Sequence, residues 1–184
     1  MPFDHFSFIA SLYNRNNEYS SLDLMIELAQ LPTEGRLLDV GGGTGRVAFA
    51  LRDKVVEVVV ADPSRGMLHF AKSKPGIQVT AAASEHLPFP DGYFQRVIMV
   101  DALHHVLDQP ETAHELLRVL EPGGRIVIEE PDIRTLGVKL VALIEKLLLM
   151  RSHFYSPEQI VSLFSTRKAS VTSKDSTVWV VIEK

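Results

Sequence analysis

The 184-residue sequence contains no cysteine, which excludes disulfide staples, thiolate metal centres and a cysteine nucleophile and fits an intracellular setting. It also lacks a basic excess. Nineteen Lys and Arg stand against 23 Asp and Glu, for a net charge of -4, so nothing resembles the positive field that draws a protein to a phosphate backbone, and nucleic acid is not an expected partner. No apolar run approaches the roughly 18 residues of a membrane span. The opening stretch MPFDHFSFIASLYNRNNEYS has neither the basic start nor the continuous apolar core of a secretion signal. The expected location is the cytoplasm, without a membrane span. Histidines are present, but His5, His69, His86, His114 and His153 share no spacing that suggests a metal site, and no metal is expected.

What is there reads as a globular chain: 46% hydrophobic and 23% charged residues suffice to bury a core, and residues 1–184 are expected to form one domain. From Arg36 onward, short β-branched runs (RLLDV, VVEVVVAD, IQVTAAA, RVIMVD, GRIVIEE) alternate with helical patterns at Thr44 to Asp53, Ser64 to Ser73 and Pro110 to Leu120. The last of these is closed by Glu121-Pro122-Gly123-Gly124, read as a helix stop and turn. Such alternation predicts an α/β fold, a mostly parallel sheet with helices on both faces. KASVTSK and TVWVVIEK are separated only by Asp175 and Ser176, too short for a crossover, so they should form an antiparallel hairpin. Residues 3–14 and 18–30 read as helices, as do residues 133–151. The N-terminal pair (1–30) and the inserted helix (133–151) are candidates for a lid, and the inserted helix is also a candidate for a homodimer contact or an apolar pocket wall.

The segment LLDVGGGTGRV (37–47) ends a strand on Asp39 and opens a helix after Thr44. Glycines at such a turn permit positive φ and leave the backbone bare for a ligand at the C-terminal edge of a parallel sheet. No Lys-Ser or Lys-Thr follows, so a triphosphate P-loop is absent. Gly43-Thr44-Gly45-Arg46-Val47-Ala48 fits the dinucleotide pattern GxGxxA, with Asp62 at the interval of a ribose acid, which keeps a nicotinamide oxidoreductase open. Asp39 weighs the other way, since a carboxylate beside the turn repels a pyrophosphate and attracts an ammonium group.

Asp39-Val40-Gly41-Gly42-Gly43-Thr44-Gly45 resembles the DxGxGxG motif of class I S-adenosylmethionine (SAM)-dependent methyltransferases. The resemblance continues in order through Val59-Val60-Ala61-Asp62-Pro63-Ser64 with Met67-Leu68, and through Ser84-Glu85-His86-Leu87-Pro88-Phe89-Pro90-Asp91-Gly92-Tyr93-Phe94. The latter is similar to the AExLPFPDxxF stretch of the type 11 subgroup, which includes quinone-biosynthesis methyltransferases. Asp101-Ala102-Leu103-His104-His105-Val106 and Leu117-Arg118-Val119-Leu120-Glu121-Pro122-Gly123-Gly124 complete it over roughly residues 36 to 130. The resemblance implies a Rossmann-like seven-stranded sheet ordered 3-2-1-4-5-7-6 with strand 7 antiparallel. It implies SAM as cofactor, bound by Asp39, Gly41, Gly43, Gly45, Asp62, Pro63, Ser64, Met67, Ala83, Ser84 and Asp101, and a small-molecule methyl acceptor. Asp62 would take the ribose hydroxyls, and the residues after it would pack on the adenine. Two positions depart from the pattern. Ala83 stands where an aspartate often accepts from the adenine amino group, so that contact must come from backbone, water or Ser84, and Gln95 stands where an aspartate commonly follows the phenylalanine.

Methyl transfer from a sulfonium is an in-line displacement that chiefly needs alignment and exclusion of water. A base is required only where the nucleophile must lose a proton. His104, following the fourth strand, is the candidate base, with Glu129 or Glu130 to orient or assist it, Glu130 being the assigned partner; alternatively His104 caps or packs locally. Tyr13 could close over the cofactor or simply pack a helix. A non-catalytic SAM-binding module stands as the further alternative.

Overall fold

Each β-branched run becomes a strand of a single seven-stranded sheet in the computed structural model, which describes residues 19–147, 152–164 and 167–184. The strands are β1 (Arg36–Val40), β2 (Glu57–Asp62), β3 (Ile77–Ala81), β4 (Phe94–Val100), β5 (Leu120–Pro131), β6 (Lys168–Lys174) and β7 (Thr177–Glu183). Their order is β3-β2-β1-β4-β5-β7-β6. β1 pairs in parallel with β2 and β4, and β7 lies antiparallel to both β5 and β6. The chain therefore reverses its winding direction at β1, and a crevice opens beyond the C-terminal ends of β1, β2 and β4, where open α/β sheets hold ligands.

The helices are α1 (Leu22–Leu28), α2 (Arg46–Leu51), α3 (Arg65–Lys72), α4 (Gln109–Val119), α5 (Leu136–Leu147) and α6 (Pro157–Ser162). The period-2 alternation of strand side chains divides the core in two. Leu38, Met99, Ile128 and Val180 face Leu116 of α4 and Phe164, whereas Leu37, Val58, Ile98 and Val181 face Met25 of α1, Leu51 of α2 and Leu68 of α3. Side-chain caps start three helices: Ser64 Oγ accepts the Met67 N–H, Asp108 the Glu111 N–H, and Ser156 with Gln159 forms a reciprocal capping box.

Three sequence expectations are revised, and one helix is added. The second N-terminal helix is shorter than 18–30, spanning Leu22–Leu28, while the helix expected at 3–14 and Tyr13 lie outside the described residues. The inserted helix, expected at 133–151, begins at Leu136 and is described to Leu147, residues 148–151 lying outside the described residues. Helix α4 does stop at Val119, but Glu121-Pro122-Gly123-Gly124 belongs to the irregular start of β5 rather than to a free turn. Leu120 already pairs with Phe94, and the Gly123 N–H donates to the Lys184 carbonyl. The short helix α6 was not foreseen. Gln95, the second departure from the motif, is a tie between strands: its side chain accepts from the Arg36 N–H at 2.5 Å, donates to Glu121, and covers Gly35, where a Cβ would meet Gln95 Cγ at 2.4 Å.

Candidate active site

The turn after β1 is built from glycines because its backbone demands them. Gly41, Gly43 and Gly45 have φ of +68°, +54° and +73°, the left-handed region that penalises side chains. Their surroundings differ. A Cβ on Gly41 would lie 2.6 Å from Ala102 Cβ, and one on Gly45 would lie 3.1 Å from Ala71 Cβ, so both positions admit close packing of neighbouring segments. A Cβ on Gly43 meets only Met67 Sδ at 3.9 Å and Asp62 Oδ2 at 4.0 Å. Space lies open above Gly43, inside a cleft of about 630 Å³, within the range of small-molecule and cofactor sites.

Of the sequence-assigned cofactor residues, Asp39, Gly41, Gly43, Asp62, Pro63, Ser64, Met67, Ala83, Ser84 and Asp101 line this cleft. Gly45 does not; it packs against Ala71 and starts α2. His104 lines the cleft as well, whereas Glu130 sits behind it. Sequence reasoning missed Arg46, Glu85, Val106 and Leu107, which the fold also brings to the wall.

Three carboxylates are held in different ways. Asp62 is tied to the turn, its Oδ2 accepting the Gly43 N–H at 2.9 Å and its Oδ1 the Ser64 N–H at 2.8 Å. Asp39 is only 1% exposed. Its Oδ2 accepts the Ala48 N–H at 3.2 Å, and its buried Oδ1 has no hydrogen-bond partner among the described residues. Burial pushes its pKa up to about 7, with nearby Asp62 adding to the rise and the Ala48 N–H and Arg46 opposing it. Burial thus favours the neutral form of Asp39, in contrast to the fixed anion that the sequence suggested. Asp101, at φ +51° just past β4, reaches solvent from the crowded cleft mouth. Burial and then Glu130 raise its pKa, against the opposing influence of His104 and Arg46.

The two consecutive glutamates of β5 point to opposite faces, as strand geometry requires. Glu130 Oε1 accepts the Ala102 and Leu103 N–H groups at 2.9 and 2.7 Å, and its Oε2 lies 2.5 Å from His104 Nδ1. His104 is buried and stacks on Phe154 with ring centroids 4.4 Å apart. A ring whose Nδ1–H donates to a carboxylate keeps Nε2 as its basic nitrogen. Glu129 instead accepts from Tyr19 Oη and, at 2.7 Å, from Trp179 Nε1, so it does not orient His104. Burial raises the pKa of both Glu129 and Tyr19. Among the described residues no group of three or more His, Asp or Glu side chains is placed to hold a metal ion.

Residues 38–128 match the family described as a methyltransferase domain, type 11. The ubiquinone/menaquinone biosynthesis C-methyltransferase UbiE of Coxiella burnetii is 33% identical over 149 residues, which cover 72% of this chain and 60% of that protein. The UbiE protein of Pseudomonas fluorescens is 36% identical over 116 residues, covering 57% of this chain and 45% of that protein. The chain thus spans about half the length of these relatives. Among solved structures, a SAM-dependent methyltransferase of Thermotoga maritima, described as a possible histamine N-methyltransferase, superposes with a TM-score of 0.80 at 22% identity, covering 97% of this chain and 98% of that one. At that identity the likeness shows the fold.

Proposed function

The chain belongs to the class I SAM-dependent methyltransferases of the type 11 group, and from that premise we propose that it transfers a methyl group from SAM to a small-molecule acceptor bound beside His104. The same premise sets nicotinamide chemistry aside. The observation that carries the proposal is the cleft at the sheet's reversal point, where an open-faced Gly43, the Asp62 carboxylate and His104 share one wall.

The residues present fit the cofactor. Asp62 places a carboxylate acceptor in the cleft for the ribose hydroxyls, and Pro63, Met67 and Leu107 supply apolar surface for a flat base. The Asp101 carboxylate at the cleft mouth suits an ammonium group, with Asp39 lining the same cleft behind it, and Arg46, which also lines the cleft, suits an α-carboxylate. Bound there, SAM supplies an electrophilic methyl on a sulfonium. The chain's own work is alignment and exclusion of water, with His104 Nε2 taking the acceptor's proton. Glu130 acts as a positioning residue, fixing the ring through Nδ1 and the Ala102–Leu103 backbone through Oε1. A base in this place favours acceptors that are carbon acids or phenols, in keeping with the C-methyltransferase name of the Coxiella relative.

The described residues constitute the methyltransferase domain in this proposal, with α5 following β5. No helix among them is long and apolar enough to cross a membrane. A cytoplasmic location, an acceptor other than nucleic acid and a homodimer are further parts of the proposal; fractionation, a nucleic-acid methylation assay and light scattering test each in turn. The central test is calorimetry with SAM and S-adenosylhomocysteine, followed by labelled methyl transfer into a metabolite pool. No heat at millimolar ligand refutes the cofactor assignment. Cofactor binding with no labelled product across the pool makes the chain a non-catalytic SAM-binding module.

A further inference from the structure

Position 83 is alanine, so the wall formed by Ala83 and Ser84 offers no side-chain carboxylate to a base lying against Met67. Ser84 Oγ is already engaged, 3.1 Å from Thr112 Oγ1 and 3.2 Å from Glu85 Oε2. The next residue, Glu85, also lines the cleft. Its Oε1 accepts the Leu107 N–H at 2.9 Å and the Asp108 N–H at 3.2 Å, while Oε2 accepts the Ser84 hydroxyl. An ionised carboxylate offers about four lone-pair sites. These three donors fill Oε1 and half of Oε2, leaving one acceptor position on an oxygen whose orientation three hydrogen bonds fix. The same contacts hold Leu107, 78% exposed at the cleft mouth, where it can cover the face of a flat ring.

An aminopurine entering an apolar slot brings an exocyclic amine whose N–H groups lose water and need an acceptor. Resting on the SAM assignment made above, we infer that Glu85 Oε2 accepts the amino group of the cofactor's adenine, so that Glu85, rather than residue 83 or the Ser84 hydroxyl, makes the site selective for a 6-aminopurine. The Thr112–Ser84–Glu85 chain of hydroxyl donors holds the carboxylate ready, and the tie to Leu107 and Asp108 links base recognition to closure of the slot over the ring.

Calorimetry with three ligands tests this: S-adenosylhomocysteine, S-inosylhomocysteine, which has a carbonyl in place of the amine, and the analogue bearing hydrogen there. The wild-type chain should bind both analogues more weakly than S-adenosylhomocysteine by roughly tenfold or more, because the carboxylate then faces a hydrogen or an acceptor. In Glu85→Gln the carbonyl oxygen retains the Leu107 and Asp108 contacts, and the amide NH2 turns toward the base. The preference for amine over carbonyl should fall by roughly tenfold or more, with S-inosylhomocysteine gaining affinity outright. A purely structural clamp would leave that preference unchanged, and an unchanged preference overturns the inference. So does equal binding of all three ligands by the wild type, a comparison that needs no variant to fold. Absence of S-adenosylhomocysteine binding to the wild type would overturn the cofactor assignment itself, and this inference with it; binding with an unmoved preference in Glu85→Gln overturns the inference alone.

Discussion

Replacing Glu130 by Gln tests the proposed base role of His104 separately from the architecture around it. Glu130 Oε1 accepts two backbone N–H groups, from Ala102 and Leu103, while Oε2 meets His104 Nδ1 at 2.5 Å. In Glu130→Gln the carbonyl oxygen must stay on the two backbone donors, because the flipped amide would aim NH2 at two N–H groups. The NH2 then faces Nδ1, which remains paired only as an acceptor, so the ring proton moves to Nε2. A neutral ring in that tautomer cannot take a proton through Nε2. Turnover should fall by about 10²–10⁴-fold, or about 3–5 kcal/mol in barrier. Stability should fall by only about 1 kcal/mol, for exchange of a charge-assisted hydrogen bond with a neutral one. Single-turnover methyl transfer to the identified acceptor, normalised to folded protein, measures the first effect; heteronuclear NMR of the imidazole nitrogens reports the tautomer. Full turnover in a variant whose ring proton has demonstrably moved would refute His104 as the base.

Gly41→Ala should destabilise the fold by about 1–3 kcal/mol in urea denaturation, since φ is +68° and the new Cβ lies 2.6 Å from Ala102 Cβ; an unchanged midpoint would show that neither contact matters. Gly43→Val should instead fold and lose S-adenosylhomocysteine binding, because its side chain enters open cleft, and calorimetry showing wild-type affinity would place the ligand elsewhere. Asp62→Ala should weaken SAM binding by about 1–3 kcal/mol through loss of a charged acceptor, and an unaltered dissociation constant contradicts the ribose role. Asp39 has a folded pKa of about 7, above the unfolded value of about 3.9, so its contribution to stability is complete below the unfolded pKa and is lost as pH rises toward about 7. Asp39→Asn should therefore flatten the decline in stability over that window, by up to a few kcal/mol; parallel declines in denaturation midpoint for both proteins would exclude it.

The strands, the terminal hairpin and the glycine turn were legible because their causes are local, whereas the sheet order rested on the family resemblance. β-branched runs specify strands, a two-residue connection specifies the hairpin, and glycines mark the left-handed positions Gly41, Gly43 and Gly45. Arg46, Glu85 and Leu107 were not foreseen on the cleft wall, since they come from the separate segments that follow β1, β3 and β4, and no spacing rule predicts that these meet. Glu129 and Glu130 lay between these cases. Strand parity puts them on opposite faces, but only the pairing of Glu129 with Trp179 across β5 and β7 settles which one faces Tyr19 and leaves the other for His104. The start of α6 was readable and overlooked: Ser156-Pro157-Glu158-Gln159 carries both the capping-box spacing and an N-terminal proline.

The electrostatics of the cleft explain why a turn shared with dinucleotide sites would serve a cationic ligand. A pyrophosphate seated over Gly43 would face Asp62, whose two oxygens already take the Gly43 and Ser64 N–H groups that an anion would need. Asp101 at the mouth adds a second carboxylate, and Asp39, near its pKa at neutral pH, can become an anion when a positive group arrives. The turn's donors are thus spent on the protein's own acid, and the wall they support presents acceptors. Coulomb's law then selects an ammonium and a sulfonium over phosphates at the same backbone geometry. Arg46 supplies a counter-charge on that wall for the carboxylate such a zwitterion carries. The bare backbone provides room, and the carboxylates around it choose what enters.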